Sequence, residues 1–237
     1  MGSQALKSLG ILNLERGLPP GEKPSEPRPG SLMNPATYDF AVISETVAGA
    51  WADVVIKGDP ALEPACIAAA KRLVERGAVA ISSNCGFFMR HQAAVAAAVN
   101  VPVVLSSLII LPALLRQIPA TGKLAVVTAD STKVSDELLG IDKAKDRSRI
   151  VVGGIEGGKL LQNEMMRPPP PTDVADIEKD VVACVARLQE AHPKIAAILF
   201  ECTAFPLVTP TIRRSTGLPI YDITDLCRLT LASLASV

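Results

Sequence analysis

At 237 residues the chain has room for one large domain or two small ones, and with 49% apolar residues it can bury a sizeable core. Its 24 basic residues balance 24 acidic ones, so nothing in the charge favours a nucleic-acid or anionic-membrane partner, both of which need a basic surplus. Only 3% of residues are aromatic, and the Ala, Val, Ile and Leu that remain suit parallel strands covered on both faces by helices.

In chain order, residues 1–17 lack an apolar core long enough for a signal peptide. Residues 9–14 read as a short buried strand. Residues 17–35 hold six prolines and three glycines and so form a long loop, and loops of that size are often functional. A loosely alternating strand over 37–47 continues into a further strand at 52–56. Asp59-Pro60 opens a helix over 61–75 that Gly77 stops. A strand at 78–82, a helix at 87–99 and a strand at 101–105 follow. The apolar run 101–115 is interrupted by Ser106, Ser107 and Pro112, too short and broken to span a bilayer. Strands at 123–128 and 150–153 precede the stiff connector 168–171. Thr172-Asp173 caps a helix over 174–191, and a strand at 195–200 comes next. Strands alternating with helices predict a parallel α/β architecture.

Two segments repeat one pattern: helix end, strand, cysteine, helix, then an apolar-Pro-apolar strand. Cys85 lies 17 residues before Pro102, and Cys202 lies 17 before Pro219. The repeat predicts two similar doubly wound halves related by a pseudo-two-fold, with a site in the cleft between them. The domains are expected at 1–116 plus 212–237 and at 117–211.

The five cysteines, Cys66, Cys85, Cys184, Cys202 and Cys227, are odd in number and contain no CxxC pair. That argues against a disulfide framework or a zinc cluster and for a reducing, cytoplasmic compartment. Cys66, Cys184 and Cys227 read as core residues. Cys85 and Cys202 stand at carboxyl ends of parallel strands, where ligands bind, each just before a helix whose N-terminus favours a thiolate or a substrate carboxylate. Two thiols facing one carbon are what a two-base racemisation requires, with neither metal nor pyridoxal. No GxGxxG, Walker or HExxH pattern occurs; the doublets around Ile155-Glu156 match none of them. Glu201 reads as a surface or edge carboxylate rather than a thiol partner. His91 reads as an exposed or packed helix residue, and Arg213-Arg214 as a solvated helix face.

The pair SSNCGFF and ECTAFPL, with GSLMNPATYDF, VPVVLSSLIILP and GLPIYDIT, resembles the aspartate/glutamate racemase superfamily of cofactor-independent enzymes, in particular its "aspartate/glutamate racemase family" branch. The resemblance implies that Cys85 and Cys202 are the acid/base pair of a racemase or epimerase, a cofactor-independent isomerase acting next to a carboxylate or carbonyl. It implies that Thr203, Asn84 and the amides of Gly86 and Thr203 hold a carboxylate, and that Asn13 and Asn34 line the cleft. Phe87 and Ala204, which neighbour the cysteines, and Ser107, at a strand end, complete the expected set. A homodimer or higher homo-oligomer is open.

This sequence departs from glutamate racemases in three places. Gly86-Phe87 replaces their Asn-Thr, Ala204 replaces a histidine, and Asn13 stands nearest to an acidic residue that is absent. Those losses point away from an ordinary amino acid. Phe87, Phe88 and Phe205 read equally as walls of an apolar cleft or as core. The alternatives are a maleate isomerase-like cis–trans isomerase, an arylmalonate decarboxylase-like enzyme, or a non-catalytic small-acid-binding protein. A decarboxylase needs one cysteine, so the pair disfavours it.

Overall fold

The computed structural model describes residues 7–18 and 26–234. The first six residues, part of the stretch read for a signal peptide, and 19–25 of the Pro-rich loop lie outside the described residues. The chain divides into two compact units, one running to Ser106 and resuming at Thr224, the other comprising Ser107–Ile223.

The first unit is built on strands β1 (Ser8–Asn13) and β2 (Ala41–Thr46), helices α1 (Ala52–Lys57) and α2 (Glu63–Glu75), strand β3 (Ala78–Ser83), helix α3 (Gln92–Ala98) and strand β4 (Val103–Val104). All pairings are parallel, in the order β2-β1-β3-β4. The central strand is apolar on both faces, as a covered parallel sheet demands: Leu9, Ile11 and Leu12 are fully buried.

The second unit holds α4 (Leu111–Gln117), β5 (Lys123–Thr128), α5 (Asp136–Leu139), α6 (Ala144–Arg147), β6 (Ile150–Gly154), α7 (Lys159–Glu164), α8 (Val174–Ala191), β7 (Ile195–Phe200), α9 (Thr209–Thr216) and β8 (Ile220–Tyr221). Its parallel sheet has the order β6-β5-β7-β8. Helix α8 buries Ile177, Val181, Cys184, Val185 and Leu188, the 3.6-residue stripe of an amphipathic helix, and they join Val127, Ile198 and Phe200 in one core. The last helix, α10 (Ile223–Ala232), returns to the first unit; there Arg228 donates through Nε to the Thr37 carbonyl at 3.2 Å.

Each sheet therefore runs second, first, third, fourth strand. The likeness extends to register, because the first and third strands slip at the same place in both: between Ser8 and Leu9 in one sheet, and between Lys123 and Leu124 in the other. The architecture is α/β, with two similar parallel-sheet units.

Three expectations change. The division falls at 106/107 and 223/224 rather than 116/117 and 211/212, because residues 107–117 belong with the second unit and β8 pairs with β7. There the Ser107 hydroxyl donates to the Phe200 carbonyl at 2.6 Å. Residues 52–56 form a helix, not a strand; the buried Ala52, Val55 and Ile56 follow the i, i+3, i+4 spacing of a helix face, which overrides the β preference of Val and Ile. Residues 86–91 form a 3₁₀ segment before α3, so no single helix covers 87–99.

Gly10, in the middle of β1, is where α2 and β3 close on the strand. A Cβ there would sit 2.9 Å from the Ala78 Cβ and 3.2 Å from the Leu73 Cβ, atoms that cannot rotate away. Gly10→Val should lower the unfolding free energy of the first unit by about 1–3 kcal/mol. Trp51, the chain's single tryptophan, lies in that unit, so urea titration followed by its fluorescence measures the effect.

Candidate active site

Of the five cysteines, none of which is in a disulfide, only Cys85 and Cys202 are partly exposed. Burial, with the Glu63 charge adding to it, pushes the Cys66 thiol up to about 12. Burial likewise pushes Cys184 up to about 11. Both are protonated core thiols at neutral pH, and Cys227 is fully buried as well. Cys85 and Cys202 therefore separate from the rest by position and by access.

Their local geometry repeats. Cys85 follows β3 and Cys202 follows β7, each with one residue between strand and thiol. The Cys85 carbonyl accepts from the Phe88 amide at 3.1 Å, and the Cys202 carbonyl from the Phe205 amide at 3.2 Å. Each cysteine thus opens a tight turn rather than a long α-helix. After Cys85 come the 3₁₀ segment Gly86–His91 and the seven-residue α3; after Cys202 come the 3₁₀ turn Phe205–Leu207 and α9. The expected helix directly behind each thiol is absent because Phe87, Phe88 and Phe205, 1% exposed or less, draw the backbone into the core at once. The opening amides, of Gly86 and Phe87 and of Thr203 and Ala204, still occupy the place where a helical turn has no internal acceptors.

In the first unit, Asn84 ties the strand ends together: its amide donates to the Leu12 carbonyl at 3.0 Å, and its Oδ1 accepts from the Leu14 amide at 2.8 Å. Ser83 Oγ lies 2.7 Å from the Leu105 carbonyl and 2.8 Å from that of Cys85. Asn13 ends β1 between these bonded residues, and its Oδ1 is buried with no hydrogen-bond partner among the described residues. Asn34 is committed to its own loop, donating through Nδ2 to the Pro27 carbonyl at 2.7 Å and accepting at Oδ1 from the Ala36 amide at 2.9 Å. Gly86 and Phe87 are buried. The structure thus brings Asn13, Asn84, Cys85, Gly86 and Phe87 to the carboxyl end of one sheet.

At the carboxyl end of the other sheet, Cys202 and Ala204 pack partly buried against the core, with Thr203 half-buried between them. Ser107 is wholly buried, and its hydroxyl holds the end of β7. Glu201 corrects a sequence expectation: it is 1% exposed, not a surface carboxylate, because the end of β7 stays covered. His91 is buried too, and burial, with Arg90 adding to it against the pull of Glu63 and Asp59, holds its pKa below the usual value.

Sequence reasoning missed Gln92, whose side chain donates to the Val103 carbonyl at 2.8 Å and accepts from the Leu105 amide at 2.9 Å, clipping α3 to β4. A lone amide in the apolar run QAAVAAAV was its signal. A cavity of ≈ 390 Å³ beside Leu115, Ile118 and Arg149 is no rival site. It lies at the amino ends of β5 and β6, and the Arg149 guanidinium is spent on the carbonyls of Leu115, Pro119 and Gly122 at 2.9–3.1 Å. Among the described residues no helix is long and apolar enough to cross a membrane.

No family model matches the chain. It is 31% identical over 205 residues to a dimethylsulfoniopropionate lyase of Durusdinium sp. clade D, covering 83% of this chain and 67% of that protein. It is also 31% identical over 242 residues to dimethylsulfoniopropionate lyase 7 of Emiliania huxleyi (strain CCMP1516), covering 96% and 67%. Against lyase 3 of the same strain the identity is again 31%, over 247 residues, with 96% and 60% covered. The chain thus spans about two thirds of these relatives' length.

Among solved structures, the allantoin racemase of Klebsiella pneumoniae matches with a TM-score of 0.63 at 10% identity, covering 96% of this chain and 87% of that one. A glutamate racemase isoform of Bacillus anthracis matches at 0.58 and 12%, covering 98% and 82%. Unliganded arylmalonate decarboxylase matches at 0.51 and 20%, covering 91% and 86%. The chain thus shares its fold with these two racemases and with the decarboxylase.

Proposed function

The chain belongs to the dimethylsulfoniopropionate lyase family, and from that premise we propose that it cleaves dimethylsulfoniopropionate into dimethyl sulfide and acrylate. Membership corrects the isomerase expectation: relatives at 31% identity are named as lyases, so the racemase or epimerase reading gives way to a lyase. Of the alternatives, the arylmalonate decarboxylase-like enzyme, which the cysteine pair disfavours, fits a lyase better than the racemase does.

The chemistry accounts for the mistaken sequence reading. Dimethylsulfoniopropionate carries a carboxylate and, two carbons away, a positively charged sulfur. A base removes a proton from the carbon next to the carboxylate, the new electron pair forms the C=C bond, and the C–S bond breaks with its pair leaving on sulfur. The proton stays on the base. Dimethyl sulfide departs neutral and needs no acid. Racemisation begins with the same proton removal, so one scaffold and one kind of base serve both reactions; the leaving group on the substrate decides which follows.

The observation that carries this reading is the placement of the two partly exposed cysteines, each opening a turn at the carboxyl end of a third strand. A thiolate there is the base. The opening amides beside it, of Gly86 and Phe87 or of Thr203 and Ala204, receive the carboxylate and the charge that builds on it as the proton leaves. The buried Asn13 oxygen offers its negative end to the sulfonium group. The carboxylate-bearing substrate expected from the sequence is retained with this identity.

The test is direct. Purified protein incubated with dimethylsulfoniopropionate should release dimethyl sulfide into the headspace and acrylate, seen by proton NMR, in equal amounts. Release no faster than from buffer, with the protein folded by circular dichroism, would end the proposal.

A further inference from the structure

Glu201 is unused by that chemistry, yet the fold spends a buried carboxyl group on it. Its side chain, 1% exposed, stands between the last residue of β7 and Cys202. Its Oε2 accepts from the Thr128 hydroxyl at 2.8 Å, and Thr128, the last residue of β5, is itself wholly buried. Its amide donates to the Val127 carbonyl at 2.8 Å.

Asn84 occupies the same place in the other unit. The last paired residues are Leu12 with Ser83 in one sheet and Val127 with Phe200 in the other. Asn84 and Glu201 are the next residues on, each immediately before a cysteine. Each donates its amide to the central strand and accepts, through a side-chain oxygen, a hydrogen bond from residues just beyond that carbonyl: the Leu14 amide for Asn84, the Thr128 hydroxyl for Glu201. One latch is thus built twice, once from an amide and once from a carboxyl group.

We infer that Glu201 is a positioning residue for Cys202, acting through its hydrogen bond from Thr128 to hold the turn that aims the thiol. What the latch requires is an acceptor oxygen. The amide of Asn84 does the same work in the first unit, so an amide should serve at position 201 as well.

The inference rests on the lyase reading for its kinetic readout, but its decisive test does not. Cys202 and Cys85 would be alkylated with iodoacetamide and followed separately by peptide mass spectrometry, with Cys85 as the internal reference. In Thr128→Val and Glu201→Ala the Cys202 rate should rise at least about fivefold while that of Cys85 holds, since a loosened turn exposes its half-buried thiol. Where Cys202→Ala identifies that thiol as the base, kcat for dimethyl sulfide release should also fall roughly 10- to 100-fold in the same two variants with KM little changed, as misplacement of a reacting group predicts. Glu201→Gln should keep both readouts within about twofold of the parent, the mark of a retained acceptor.

An unchanged Cys202 rate in Thr128→Val overturns the latch. So does a Glu201→Gln variant as impaired as Glu201→Ala, because charge rather than an acceptor would then be at work. Thr128→Val removes only the hydroxyl, so the test survives a Glu201→Ala chain that fails to fold. A parent protein without elimination activity would sink the lyase reading and still leave the alkylation result to decide the latch.

Discussion

Replacing Cys85 and Cys202 singly by alanine should lower the turnover of dimethylsulfoniopropionate by unequal factors. Elimination moves one proton, and the sulfide leaves as a neutral molecule that takes none. With a single thiolate as the base of the proposed elimination, its loss should cost about 10²- to 10⁴-fold in kcat, the range for removing a general base. The other thiol has no proton to deliver to the departing group. Its replacement should cost clearly less, through packing and local polarity alone. Cys184→Ala serves as the control: that thiol is buried in the second core with its pKa pushed up to about 11, and its removal should leave turnover within about twofold. Headspace chromatography of dimethyl sulfide over a substrate series yields kcat and KM for each variant. Equal losses at Cys85 and Cys202 would contradict the one-base elimination, because two-base chemistry alone makes both thiols indispensable.

The parts of this molecule that could be read from its sequence are those that depend on local spacing. The 17-residue interval from each cysteine to a proline reflects a strand–turn–helix–strand unit made twice, and the two sheets have the same strand order and the same register slip. Cys66 and Cys184 were legible as core because they fall on the apolar stripes of α2 and α8. What could not be read depends on tertiary context. The helix α1 hides behind a run of Val and Ile that reads as a strand until burial of one face decides it. The 3₁₀ turns after the cysteines arise because Phe88 and Phe205 must reach the core. Glu201 looked like a surface carboxylate, since a glutamate is seldom fully buried without partners, and its partner Thr128 is 73 residues away. The choice between lyase and isomerase lay further off still, because the leaving group belongs to the substrate.

Phe205→Ala should be the most destabilising change near either cysteine. Phe200 and Phe205 are both wholly buried, their rings in edge-to-face contact at 5.4 Å and 79°. They share the second core with Val208 and Ile212, so truncation leaves a cavity that the strand end cannot close. The expected cost is about 3–5 kcal/mol, including about 1 kcal/mol for the ring pair. The sequence left Phe205 as either a cleft wall or a core residue, and burial places it in the core. The same residue also closes the turn at Cys202, through its amide bond to that carbonyl, so loss of packing should loosen the thiol as well. Hydrogen exchange of β7 peptides reads the effect within the second unit, where no tryptophan reports. Faster exchange there, with β1 peptides unchanged, is the expected pattern. Protection of β7 equal to that of the parent would show that Phe205 contributes little to the core, and would return it to the role of a wall around bound substrate.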